Sequence, residues 1–216
     1  WVGLQNYDFV FRDPDFFRAL GNTVVISLCR LLFQFPVPIF IALLLNELRS
    51  QRYKKILQTI YTFPHFLSWV IVASMILNLF GNNGTVNAMM GAVGIEPVNF
   101  LGDESLFRPM LYITENWKSA GWSAIIYMAA ISGIDTEQYE AATIDGAGRL
   151  QKMLYITLPG IKATIVVLFI LAVGGIMNAG FDQIFNLSNP AVRNVSDILD
   201  TYIYRITFQS SADFSF

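Results

Sequence analysis

"LGNTVVISLCRLLFQFPVPIFIALLL", residues 20–45, holds a single charged residue, Arg30. A bilayer's hydrocarbon core is crossed by about 20 mainly apolar helical residues. The run is longer than that and does not alternate with period two, so it reads as a helix rather than a barrel strand. Three further runs share the pattern: about Ile56–Phe80, Leu106–Ile131 and Ile161–Phe185. The expected fold is therefore all-α, a polytopic membrane helical bundle with four complete spans. The closing "DILDTYIYRITFQSSADFSF" is amphipathic and predicts either the start of another span or an interfacial segment. Composition agrees, at 54% hydrophobic and 14% charged residues, against about 45–50% and about 25% in soluble domains. The chain opens at Trp1 without Met or a signal-like basic stretch, which predicts a segment of a longer polypeptide with flanking spans outside it.

Basic residues in the short loops set the orientation. "NELRSQRYKK" (46–55) gathers Arg49, Arg52, Lys54 and Lys55, whereas residues 81–104 hold neither Lys nor Arg. The first loop is expected in the cytoplasm and the second outside. The loop 133–160, with Arg149 and Lys152, then returns to the cytoplasm, and "NLSNPAVRNVSD" falls outside. Pro36, Pro38 and Pro64 are expected to kink or unwind their spans. The small pairs Ala120/Ala124, Ala129/Gly133 and Gly175/Ala179 would let helices approach closely.

Ionisable groups at membrane depth usually face a bundle interior or an aqueous path. His65 and Trp69, Glu115 and Ser119, and Asn178 and Asp182 are each four residues apart. On continuous helices such pairs share a face, so three stripes lining one cavity are predicted, with Asn78, Asn116, Trp117, Trp122 and Tyr127 adding amides and rings. Rings beside amides and carboxylates suit a sugar. A plainer reading pairs Glu115 with Lys118, anchors the tryptophans at the interface, puts Asp182 in water at the outer end of its helix, and has His65 satisfy a carbonyl freed by Pro64. Arg30 is expected to partner another helix or chain.

The sequence has no HExxH, GxSxG or Walker-type glycine loop, and only one histidine. Neither catalysis, nor a metal site, nor a bound cofactor is expected of this chain. The lone Cys29 excludes a disulfide within the chain, and a net charge of -2 gives no reason to expect nucleic acid.

The loop 133–160 has its own logic. Thr136 is expected to cap a short helix ending near Ile144. Gly146 and Gly148 would then turn the chain, and a second amphipathic helix would carry Leu150, Met153, Leu154 and Leu158 toward Pro159. Two short helices at a glycine elbow make a rigid knob suited to docking on another protein. Glu140-Ala141-Ala142, Gly146, Ile156, Leu158 and Pro159 match, at seven positions over twenty residues, the "EAA" signature. That signature belongs to the permease subunits of binding-protein-dependent ABC importers. Asp145-Gly146-Ala147 gives its fuller form. "GLQNYDFVFRDPDFFRALGNT" and the 81–104 loop also resemble the maltose-type carbohydrate permeases, in the branch for complex oligosaccharides and polysaccharide fragments.

The resemblance implies an ABC type I importer permease core spanning 1–216, incomplete at its flanks, in the bacterial plasma membrane. It implies that Glu140, Ala141, Ala142, Asp145, Gly146, Ala147, Ile156, Leu158 and Pro159 form a coupling element seated on a cytoplasmic ATPase dimer, which would hold the ATP and magnesium. A second homologous permease, an extracytoplasmic solute-binding protein and a carbohydrate substrate would complete the set of partners in the lipid bilayer. His65, Trp69, Glu115, Ser119, Asn178 and Asp182 would face the solute path. An importer of an amino acid, peptide or phosphate, or an ATPase-independent channel or scaffold, is the alternative.

Overall fold

The computed structural model describes residues 3–209; the part of the closing amphipathic stretch beyond Gln209 lies outside the described residues. Every regular element among them is helical. In chain order these are α1 (Gln5–Arg12), α2 (Pro14–Gln34), α3 (Pro36–Asn46), α4 (Gln51–Thr62), a 3-10 turn (Phe63–Phe66), α5 (Trp69–Phe80), α6 (Thr85–Ala92) and α7 (Glu104–Ser132). They continue as α8 (Thr136–Ile144), α9 (Arg149–Lys152), a π-helical turn (Met153–Thr157), α10 (Leu158–Gly160), α11 (Lys162–Gly174) and α12 (Phe181–Leu187). A 3-10 turn (Pro190–Val192), α13 (Arg193–Ser196), α14 (Leu199–Tyr204) and a π turn (Arg205–Gln209) complete them.

The stretches Pro14–Asn46 and Trp69–Ala92 are each long and apolar enough to cross a membrane, and Arg149–Gly160 joins Lys162–Gly174 across a 59° bend. The first predicted span holds, and the third is a single helix but not one of those apolar enough to cross by composition. The first passes Pro36 with only Phe35 outside a regular helix, and Phe35 keeps a right-handed helical backbone at φ -64° and ψ -42°. The third is α7, 29 residues and therefore about 43 Å long at 1.5 Å per residue.

The second and fourth apolar runs are not single helices. The run Ile56–Phe80 breaks at Leu67, whose backbone is extended, and restarts where the Ser68 hydroxyl accepts the Ile71 N–H. The run Ile161–Phe185 breaks between Gly174 and Phe181, with Gly180 left-handed at φ 84°. Apolarity fixes how much chain is buried in lipid, but prolines, glycines and a serine cap decide where its helices end. Two of the small pairs fail for the same reason: Gly133 lies past the end of α7 and Gly175 past the end of α11. Ala120 and Ala124 are both buried on α7 as expected.

The described chain divides into two compact units, one of Trp1–Cys29, Ser68–Ile113 and Ile176–Phe216, the other of Arg30–Leu67 and Thr114–Gly175. In the second unit Ala42, Leu43, Ala124, Tyr127, Ile131 and Ile161 form the buried core. Tyr127, expected to add a ring to a polar path, belongs to this core instead. Gly121 brings α7 against the end of α4, since a Cβ there would meet the Tyr61 carbonyl far inside van der Waals contact.

The first unit is held by amides and ions. Asn22 Nδ2 donates to the carbonyls of Asn194 and Asp197 at 3.0 and 2.9 Å, and its Oδ1 accepts from Arg108 at 2.8 Å. Gln183, wholly buried, donates to the Leu111 carbonyl at 2.9 Å. Asn87 donates to the Val98 carbonyl and accepts the Val98 N–H, both at 2.9 Å, closing the 81–104 loop on itself. At the α1–α2 junction the Tyr202 hydroxyl donates to Asp13 at 2.6 Å. Nearby, Arg205 bridges Asp197 at 2.7 Å and Asp15 at 3.4 Å. The Tyr202 hydrogen bond, aided by the Asp15 N–H, holds the Asp13 carboxyl below its usual range. Burial and that same bond push Tyr202 up to about 12.

These shifts fix a pH window. The stabilisation from Asp13 is complete above the unfolded carboxyl pKa near 3.8 and is lost as pH falls through the lower folded value. That from Tyr202 is complete below 10 and is lost as pH rises toward about 12. Tyr202→Phe should lower stability by about 1–3 kcal/mol near neutral pH. The difference from wild type, followed by thermal unfolding in detergent, should shrink below pH 4 as Asp13 protonates.

Candidate functional site

The loop between α7 and α11 is a rigid elbow. The Asp135 carboxylate accepts the Glu137 N–H at 3.0 Å and caps α8. The cap is therefore Asp135, not Thr136, which is the first helical residue. Both are good capping types, and Asp135 has the extended backbone that a cap requires.

The end of α8 explains the spacing of the motif. Gly146 adopts φ 79°, its N–H bonds the Thr143 carbonyl at 3.1 Å, and the Ala147 N–H bonds the Ala142 carbonyl at 2.8 Å. These two bonds with a left-handed glycine define a Schellman cap. The last alanine of Glu140-Ala141-Ala142 supplies one carbonyl of that cap, and the glycine four residues on supplies the turn.

The returning arm begins at Gly148, whose N–H is bonded by the Gln151 side chain at 2.7 Å. It is not a simple second helix, because the turn Met153–Thr157 is π-helical and the Leu158 N–H reaches back to the Met153 carbonyl. Pro159 accounts for the widening, since its ring clashes with the carbonyl four residues before it in a regular α-helix. Two side-chain contacts pin the arms together: Tyr139 Oη with Thr157 Oγ1 at 2.9 Å, and Lys152 Nζ to Thr143 Oγ1 at 2.6 Å.

The motif residues divide by position. Glu140, Ala141, Asp145, Gly146 and Pro159 are exposed. Ala142, Asp145, Gly146, Ala147 and Ile156 line, with Tyr155, a concavity of about 250 Å³ between the arms. Leu158 packs against the core of the second unit. Ile144 is 87% and Tyr155 78% exposed, with Leu150 and Leu154 also open. Four large apolar side chains on a stiff polar loop form a contact face.

The path residues are placed less as the stripes required. His65 and Trp69 lie on either side of the Leu67 break, and Asn178 and Asp182 on either side of left-handed Gly180. Neither pair shares a helix face. Asn178 Oδ1 accepts the Gly180 N–H at 3.3 Å, and Asp182 is an exposed acid in the first turn of α12. Only Glu115 and Ser119 lie on one helix, the Ser119 hydroxyl donating to Glu115 at 2.5 Å.

The second unit nevertheless gathers three of the six. The His65 imidazole stacks on Trp122 at 4.8 Å and 2°, and Phe66 meets the same indole edge-on at 5.8 Å. Lys118, 8% exposed, donates to the His65 carbonyl at 3.0 Å. The histidine thus receives a bond at its own carbonyl rather than supplying one to a carbonyl freed by Pro64. A half-exposed indole beside a hydroxyl, a carboxylate and an imidazole can bind a sugar by ring stacking and hydrogen bonds. Gly121, missed in the sequence, makes the cluster possible by letting α7 approach the turn. A glycine flanked by Ala120 and Trp122 was the only available signal.

A family model described as "Binding-protein-dependent transport system inner membrane component" matches residues 34–207. Two Bacillus subtilis (strain 168) proteins are similar over most of this chain. "Protein LplB" is 44% identical, covering 98% of this chain and 67% of that one. "Polygalacturonan/rhamnogalacturonan transport system permease protein YteP" is 47% identical, covering 94% and 64%. The chain thus spans about two thirds of the length of these curated relatives. Among solved structures, a bacterial ABC transporter involved in the import of the acidic polysaccharide alginate has a chain with a TM-score of 0.92 at 41% identity, covering 97% of this chain and 73% of that one.

Gly146→Ala should isolate the role of the cap. A Cβ at this position meets nothing within 4 Å, so the cost is the left-handed backbone alone, about 1–2 kcal/mol. We expect normal membrane insertion but faster proteolysis between Ile144 and Gly148, measured by limited digestion of inside-out vesicles. Equal digestion of variant and wild type would show that the cap does not hold the elbow.

Proposed function

The chain belongs to the binding-protein-dependent transport system inner membrane components, and from that premise we propose that it forms part of the solute path of an ATP-driven importer of oligosaccharides in the bacterial plasma membrane. The elbow is the observation that carries this reading. A Schellman-capped, doubly pinned loop with an exposed apolar face transmits force without flexing, as coupling to a separate ATPase demands. In this reading Glu140 and Ala141 touch the ATPase directly, and Ala142, Asp145, Gly146, Ala147 and Ile156 shape the concavity that receives it. Leu158 and Pro159 tie the knob to the membrane helices.

ATP and magnesium then bind the partner ATPase dimer, and this chain performs no catalysis. A second permease subunit completes the path and a solute-binding protein delivers the cargo. The structure of the alginate transporter in complex with a pentasaccharide-bound periplasmic protein, whose matched chain is 41% identical with a TM-score of 0.91, supports that last partner. The cluster of His65, Trp122, Glu115 and Ser119 is the proposed sugar-facing surface of the second unit. Trp69, Asn178 and Asp182 are proposed as solute-path residues of the first unit, considered by itself.

Two experiments test this. Glu140→Lys in the full-length protein should abolish uptake in cells and reduce co-purification of the ATPase while leaving membrane abundance unchanged; wild-type uptake would sink the coupling assignment. Trp122→Ala should reduce oligosaccharide uptake at least about fivefold, given about 1–3 kcal/mol for a lost aromatic stack, with ATPase assembly intact. Unchanged uptake would remove the cluster from the path.

A further inference from the structure

The first unit contains a concavity unrelated to the elbow or to the His65 cluster. It measures about 260 Å³ and its lining includes Phe185, Ser188, Arg193, Asp197, Tyr204 and Arg205. That is just under the roughly 300–1,000 Å³ of drug-sized sites, which suits one sugar unit rather than an oligomer. One wall is aromatic: Phe185 and Tyr204 meet edge-to-face at 4.9 Å, backed by Phe181 and Phe208. The rest of the lining is charged and hydroxylic.

The charges in that lining are not equivalent. Arg205 is held by Asp197 at 2.7 Å and by Asp15 at 3.4 Å, and Asp197 also accepts from Thr201 at 2.8 Å. Those groups are occupied with each other. Arg193 is exposed and carries the one lining charge without a compensating carboxylate among the described residues. Ser188 also belongs to the lining.

We propose that this concavity is an outer binding site for a carboxylated sugar unit, a uronate, with Arg193 gripping the carboxylate and the Phe185–Tyr204 wall taking the ring face. A guanidinium matches a carboxylate bidentately, an aromatic wall covers the C–H face of a pyranose, and Ser188 reaches a ring hydroxyl. The proposal rests on the importer reading and on the loop 186–197 facing outward. It adds a chemical preference at a place none of the predicted path residues occupies. The two relatives named for polygalacturonan/rhamnogalacturonan and for alginate act on polymers that carry this group.

The test uses the full-length transporter with its partners in proteoliposomes, and compares trigalacturonate with its methyl ester, which has the same shape and no charge. Wild type should prefer the acid. Arg193→Ala should lower the acid-over-ester uptake ratio at least about tenfold, the loss expected for one hydrogen bond to a charged group. Arg193→Lys should restore part of it, and Tyr204→Leu should weaken uptake of both probes. Assembly of each variant is checked by gel filtration. If both probes are imported and Arg193→Ala leaves the ratio unchanged, the site assignment is overturned while the importer reading stands. If Arg193→Ala lowers both uptakes equally and weakens capture of the binding protein, the arginine is a protein contact and the proposal fails. If wild type imports neither probe, the uronate site is overturned, and import of a neutral oligosaccharide by the same vesicles would leave the carbohydrate reading standing.

Discussion

Backbone amides and carbonyls released by a helix break cannot be satisfied by lipid, and that constraint governs this chain. Its helices break near Phe35, at Leu67–Ser68, and between Gly174 and Phe181. Freed or strained backbone is met repeatedly by a side chain from within the same unit. Lys118 serves the His65 carbonyl beside the Leu67 break, while Gln183 donates to the Leu111 carbonyl within unbroken α7. Asn22 serves two carbonyls at once. Each such bond is worth about 1 kcal/mol net, but leaving the group bare costs more. The polar residues inside apolar runs are therefore first a condition of having broken helices at all. Any role in solute contact is built on residues already committed to structure, as Lys118 illustrates.

The elbow follows the same economy outside the lipid. Its turn is closed by backbone bonds to Thr143 and Ala142, and its arms by Tyr139–Thr157 and Lys152–Thr143. Of the four residues in these side-chain contacts only Thr157 is deeply buried, and Ile144, Leu150 and Tyr155 stay exposed. Leu158, at the far end of the motif, anchors this surface to the core around Ile131 and Ile161. Rigidity and exposure therefore coexist in the elbow.

Much of this was legible in the sequence, and the misses share a cause. Apolar length identified the helical class, and loop charges set an orientation. Glycine spacing identified the elbow because caps are local: Gly146 and the carbonyls it serves lie within four residues. The stripes failed at His65/Trp69 and Asn178/Asp182 because spacing of four implies a shared face only on unbroken helix. The breaks arise from Ser68 capping and from a left-handed Gly180, choices that compete with hydrophobic periodicity. The ties from Asn22 to Asn194 and from Asp13 to Tyr202 span more than 170 residues, and one sequence carries no signal for such pairings. Gly121 was missed because a glycine in a helix advertises a close approach but not its partner.

The π turn at Met153–Thr157 turns the length of the returning arm into information. A π turn accommodates one residue more than an α turn, and here Pro159 keeps it in place. Deleting one residue within Met153–Thr157 would let the turn close to α geometry in register, whereas inserting one would rotate everything beyond it by about 100°. Leu158 would leave the core and Ile156 would leave the concavity together. Substitution in this arm is thus tolerated far more readily than insertion. A lineage can vary the letters between the glycine and the proline, but it cannot lengthen the stretch.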